Sequence, residues 1–268
     1  MIRKALWLSA LLLLATTGVH AATPATVFVD ELTSPELRDQ VRAGKTTVIV
    51  PIGGTEQSGP HIVLGKHNVR VKILAEKIAQ TLGNALVAPV MAYVPEGGIT
   101  PPTAHMRFPG TITVPDAAFR SVLESVAKSF RAHGFRDIVF LGDHGDYQKS
   151  LNAIADRLNR EWAATPVRAH NVEAYYRAGI TAYGQALKSR GISNNEIGIH
   201  AGLADTSLSL AVDPRLVRID RLEDGSKSQP ANGVVGDPRR SSAELGQLGV
   251  EGIVAATVEA IKRAVVRN

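Results

Sequence analysis

Short apolar, β-branched runs alternate with stretches of helical periodicity along most of the chain. Strand-like runs occupy residues 46–52, 85–92, 137–141 and 167–172. Between them Val71, Leu74, Ile78 and Leu82 recur at three- and four-residue steps. Phe119, Val122, Leu123, Val126 and Phe130 do the same, as do Leu151, Ile154, Ala155, Leu158 and Trp162. Pro115-Asp116 opens the second of these segments and Gly134 closes it, which are helix start and stop signals. Buried strands separated by amphipathic helices predict βαβ units: a three-layer α/β/α domain around a mostly parallel sheet. Two irregular stretches, 94–110 and 225–242, break the rhythm with Pro and Gly. Structureless loops of that length in a compact domain are uncommon and often functional.

Residues 1–21 stand apart from this pattern. Arg3 and Lys4 precede an apolar stretch, and Val19-His20-Ala21 ends in small residues suited to cleavage. That is the layout of a secretory signal peptide, too short and wrongly flanked to span a bilayer. The expected mature chain is one domain over 22–268, periplasmic or secreted, with no membrane attachment after cleavage. Without Arg3 and Lys4 the net charge of +5 falls to +3, and aromatic residues make up only 5% of the chain. No basic stripe with stacking aromatics is present, so nucleic acid is not an expected partner. The absence of cysteine removes a disulfide framework and leaves any metal to His, Asp and Glu.

Ligands of parallel α/β sheets bind beyond the carboxyl ends of the strands. The first run leads into GTEQSGPH at 54–61 and GKHN at 65–68, and the third into DHGD at 143–146. The Pro/Gly loop presents His105 just before FPGT, and HAGLADTS at 200–207 precedes an apolar helical run. Polar clusters are thus sent to one rim. His133 and His170 fall outside them and need no function. No HExxH, G-x-S-x-G, GxGxxG or Walker pattern occurs.

Five ordered motifs resemble the creatininase (creatinine amidohydrolase-like) family. PIGGTEQSGPHIVLGKH at 51–67 is similar to that family's P-x-G-x-x-E-Q-H-G-P-H-L-P-L-x-T-D, and HMRFPGT at 105–111 to its H-x-x-F-P-G-T. GDHGDY at 142–147 is a looser match to N-G-H-x-x-N; HAGLADTS and a late V-G-D-P at 235–238 complete the set. The resemblance implies two divalent metals, the first held by Glu56, His67 and His144, the second by Ser58, His67 and Asp146. Two of these positions depart from the family: its histidine is Ser58 here, and its bridging aspartate is His67. The Asp146 position, glutamate in creatininase, keeps a carboxylate. A neutral imidazole offers one lone pair to one metal, and a hydroxyl is a poor zinc ligand. The expectation is therefore one divalent ion per chain, Zn²⁺ or alternatively Mn²⁺, held by Glu56, His67, His144 and Asp146.

With one metal the resemblance implies hydrolysis of a C–N bond in a small, possibly cyclic, amide by a metal-activated water. His200 is expected to shuttle the proton and Asp205 to orient it. His105 and Tyr147 are expected to contact substrate, His61 to steady a metal ligand by its other ring edge, and Ser58 to stand behind the ligands. The run NNEIGIHAG at 194–202 lacks the aromatic residues creatininase carries near its substrate-binding histidine, so creatinine itself is not the expected substrate. Members of that family often form hexamers, so the resemblance implies a homo-oligomer. The alternative is an inactive periplasmic protein that binds a metal or ligand on the same scaffold.

Overall fold

In the computed structural model, which describes residues 25–227 and 231–266, four parallel strands form one sheet in the order β2-β1-β3-β4. They are β1 (Thr47–Ile52), β2 (Ala85–Val87), β3 (Asp137–Gly142) and β4 (Arg168–Asn171). All four runs read from the sequence are strands. β2 stops at Val87, since Pro89 has no amide hydrogen to continue the ladder. The chain then rejoins β1 through an isolated Ile52–Met91 bridge.

Ten α-helices surround the sheet among the described residues: α1 (Ser34–Arg42), α2 (Lys66–Leu82), α3 (Asp116–Ala132), α4 (Gln148–Glu161) and α5 (Ala174–Ile180). There follow α6 (Ala182–Lys188), α7 (Asn194–Ile197), α8 (Leu203–Val212), α9 (Leu222–Lys227) and α10 (Ala243–Val266). Side chains alternate across the sheet with the strand period of two. Ile49, Val139 and Leu141 pack on one face against Val71 and Leu74 of α2, Leu208 of α8 and Ile253 of α10. Val48, Val50, Ile138 and Phe140 pack on the other against Phe119 and Leu123 of α3 and Leu151 and Leu158 of α4. The result is the expected three-layer α/β/α fold.

Helix α10 was not legible in the sequence pattern, because Gly246, Gly249 and Gly252 interrupt its apolar residues. Gly246 has a packing reason: a Cβ there would lie 1.8 Å from the Ser207 carbonyl oxygen of α8. The expected leader, 1–21, lies outside the described residues. No helix among the described residues is long and apolar enough to cross a membrane.

Candidate metal centre

The carboxyl ends of β1 and β3 lie side by side, Ile52 opposite Gly142, and the segments that follow carry Glu56 and His144 to one place. Loop 94–110 brings two more groups. It closes on itself through Thr103 N–H to the Gly98 carbonyl (3.0 Å) and Gly98 N–H to Thr103 Oγ1 (2.7 Å). Its pinched ends hold Glu96 and His105 against the strand ends. Gly54, at φ +151°, makes room for this: a Cβ would meet Glu96 Oε1 at 2.6 Å.

Donor atoms of Glu56, Glu96, His105 and His144 all lie within 4.8 Å of one another. Glu56 Oε2 stands 3.2 Å from both His105 Nε2 and His144 Nε2. Tetrahedral ligands about 2.0–2.1 Å from an ion are separated by about 3.3 Å. Glu96 is fully buried, and neither of its carboxylate oxygens has a hydrogen-bond partner. Burial pushes its pKa up to about 8, helped by the Glu56 and Asp146 carboxylates and opposed by His144. Buried charge without a partner is costly, so this donor set is short of a positive charge. The residues fit a divalent cation.

Glu56 behaves differently although it is equally buried. Burial works to raise its pKa, but Lys66 and His67 outweigh it and hold the carboxyl well below the usual carboxylate range. Its Oε1 is 2.8 Å from His67 Nε2 and 3.3 Å from Lys66 Nζ. His67 Nδ1 is 2.5 Å from Asp143 Oδ2. Arg70 donates to Asp143 Oδ2 from Nε (2.8 Å) and to Asp205 Oδ1 from Nη1 (2.6 Å); Lys66 donates to Asp205 Oδ2 (2.5 Å). Three carboxylates and two fixed cations thus enclose His67.

Two of the four expected ligands, Glu56 and His144, converge; Glu96 and His105 stand with them in place of His67 and Asp146. His67 Nε2 faces Glu56 Oε1 and Nδ1 faces Asp143 Oδ2, with Arg70 Nη2 3.0 Å from the same Nδ1, so both ring nitrogens are engaged within the protein. Burial and Lys66 work against a charged ring, but Glu56 and Asp143 prevail and raise its pKa. Asp146 lines the cavity outside the converging group. His105, expected to contact substrate, is within that group and also lines the cavity.

His200 lies beside it, ring centroids 4.7 Å apart. Its Nε2–H donates to the Gln57 carbonyl (2.9 Å), and Nδ1 is 3.7 Å from Glu56 Oε1. Burial and then the Lys66 charge push its pKa down to about 4, so the ring is neutral at pH 7. Asp205 Oδ2 accepts from Ala201 N–H (3.0 Å), fixing the backbone next to His200. His61 and Ser58 are fully buried; His61 Nε2 is engaged by the Ala201 carbonyl (3.0 Å) and Thr206 Oγ1 (3.1 Å), and Ser58 Oγ has no partner.

Tyr147 requires correction. It is 1% exposed and is not among the residues lining the cavity. Its hydroxyl donates to the Ile52 and Gly53 carbonyls (2.8 and 2.7 Å) and accepts from Asp143 and His144 N–H. It braces the turn after β3 instead of contacting substrate, and Tyr175, Tyr176 and Tyr183 line the cavity. Glu96, Lys66, Arg70 and Gln57 were missed. Lys66 adjoins His67 in GKHN, but nothing in its spacing reveals that it is buried.

A family model described as "Creatininase: Creatinine amidohydrolase" matches residues 30–261. The chain belongs to the creatininase family. The creatinine amidohydrolase of Pseudomonas putida is 27% identical over 260 residues, covering 88% of this chain and 96% of that protein. A mycofactocin precursor peptide peptidase of Mycobacterium ulcerans is 26% identical over 225 residues, covering 75% and 78%. A crystal structure of creatininase superposes at TM-score 0.75 and 26% identity, over 90% of this chain and 98% of that one. A mutant creatininase of "Zn-Zn type" does so at 0.73 and 27%, over 90% and 99%. This creatininase-family chain is an enzyme of the amidohydrolase type, and kinship with hydrolases gives the inactive binding-protein alternative no support.

Proposed function

We propose that this enzyme hydrolyses an amide C–N bond of a small molecule or short peptide, using one divalent cation held by Glu56, Glu96, His105 and His144. The observation that carries this reading is Glu96, a buried carboxyl without a hydrogen-bond partner, facing two histidines and a second carboxylate. Nitrogen and oxygen donors of this kind suit Zn²⁺, with Mn²⁺ the alternative. Such an ion, when bound, lowers the pKa of a water towards ~7 and polarises a carbonyl.

The chain's own groups supply the proton path. His200 is held by the Gln57 carbonyl so that Nδ1 keeps its lone pair on the side of Glu56. As a water oxygen bonds to the substrate carbonyl carbon, its proton passes to His200 Nδ1. When the C–N bond breaks, that proton goes to the departing nitrogen. Asp205 keeps His200 in register through Ala201. The cavity, about 670 Å³, has an apolar wall that includes Ile180, Ile197, Leu208 and Ile253. It suits an amide with an apolar substituent, larger than creatinine. Export after loss of 1–21 and a homo-oligomeric state belong to the same reading.

The test is chelation of the purified protein, assayed on a panel of N-acyl and cyclic amides. Hydrolysis should vanish with the metal and return when Zn²⁺ or Mn²⁺ is restored. Full turnover by metal-free protein would overturn the proposal.

A further inference from the structure

We propose that Lys66 is the site's second cation: its ammonium, fixed between Glu56 and Asp205, takes the place of a second metal ion and reserves Glu56 for a single one. The inference rests on the metal-centre reading above. Lysine is almost never fully buried unless paired, and Lys66 is 1% exposed. It also opens helix α2, an end whose dipole disfavours a positive side chain. Local helix chemistry therefore gives no reason for a lysine there, whereas two carboxylates do. Nζ lies 2.5 Å from Asp205 Oδ2 and 3.3 Å from Glu56 Oε1.

The two oxygens of Glu56 divide between two environments. Oε1 faces Lys66 and His67, while Oε2 faces His105 and His144. A carboxylate that bridges two ions needs a free lone pair on each oxygen. Here Oε1 is occupied by donors from the protein, so Glu56 is left as a ligand to one ion through Oε2. Glu56, Asp143 and Asp205 are matched by Lys66, His67 and Arg70 without any added metal. Glu96 is the buried carboxylate of the cluster left unmatched, and it lies with the first ion's donors. Lys66 is thus a positioning residue: it turns Glu56 towards the metal donors and neutralises Asp205, the carboxylate on its other side.

Metal-free protein titrated with Zn²⁺ in a calorimeter tests this. The unmodified protein should take up one ion per chain. Lys66→Ala, which bares Glu56 Oε1 and Asp205 Oδ2 to each other, should gain a second, weaker ion. One ion in both proteins, with the variant folded by circular dichroism, would overturn the role of Lys66 and leave the single-metal reading standing. Two ions in the unmodified protein, or none, would overturn that reading and this inference together. A second measurement serves if the variant does not fold. Reductive methylation of the unmodified protein, read by mass spectrometry, should leave Lys66 unlabelled before and after excess Zn²⁺. Labelling of Lys66 that appears on adding metal would mean that an ion displaces the ammonium, and the inference would fail.

Discussion

Replacing Glu96 by Gln should make the metal-free enzyme more stable and the metal-loaded enzyme less so. Glu96 is fully buried, its oxygens unpartnered, and its pKa stands at about 8 against an ordinary 4.5. That difference is a cost of about 5 kcal/mol for holding the ionised carboxylate in the metal-free fold. The sign follows from proton binding. Between pH 4.5 and 8 the unfolded chain has released this proton and the folded one retains it, so stability falls as pH rises through that window. By pH 7 the loss is about 3 kcal/mol, roughly 10 °C in midpoint for a domain of this size. Thermal unfolding of chelated wild type and Glu96→Gln at pH 5 and pH 8 measures it. The two should differ by less than about 1 kcal/mol at pH 5, close to the ordinary carboxyl value, and the variant should melt higher at pH 8. Adding Zn²⁺ should reverse the order, because the ion matches the charge. A Glu96→Gln variant that melts no higher than wild type at pH 8, or binds metal as tightly, would mean that Glu96 neither carries a burial cost nor holds the ion.

His67→Ala should keep its metal, by elemental analysis, yet lose about 3–5 kcal/mol of stability, because it breaks buried ion pairs to Asp143 and Glu56. Loss of the metal would restore His67 as a ligand. His200→Ala should lower turnover by ~10²–10⁴-fold with metal content unchanged, the usual effect of losing one acid–base group; metal lost together with activity would make His200 a ligand. Tyr147→Phe should cost about 1–3 kcal/mol by stranding buried backbone groups while leaving KM alone. A raised KM at unchanged stability would put Tyr147 back in contact with substrate.

Strands β1 and β3 and helices α2 to α4 were legible because each repeats its apolar residues at the period of its own element. Helix α10 was not, since Gly246 and Gly249, which let α8 come close, fall among its apolar residues together with Gly252. Glu56 and His144 were legible from motifs that the strand-end rule sends to one rim. The role of His67 was not. Its ring lies between Asp143 on one side and Glu56 on the other, a placement that depends on β1 lying beside β3. Glu96 had no spacing signal, because the fold of loop 94–110 alone brings it beside His105.

Anomalous diffraction at the metal edge, from crystals of the Zn²⁺-loaded protein, reads the number of ions and their ligands at once. One strong peak per chain is expected, about 2.0–2.2 Å from donor atoms of Glu56, Glu96, His105 and His144. A peak held by His67 or Asp146, a second peak of equal strength, or no peak among these residues would contradict the proposed metal centre.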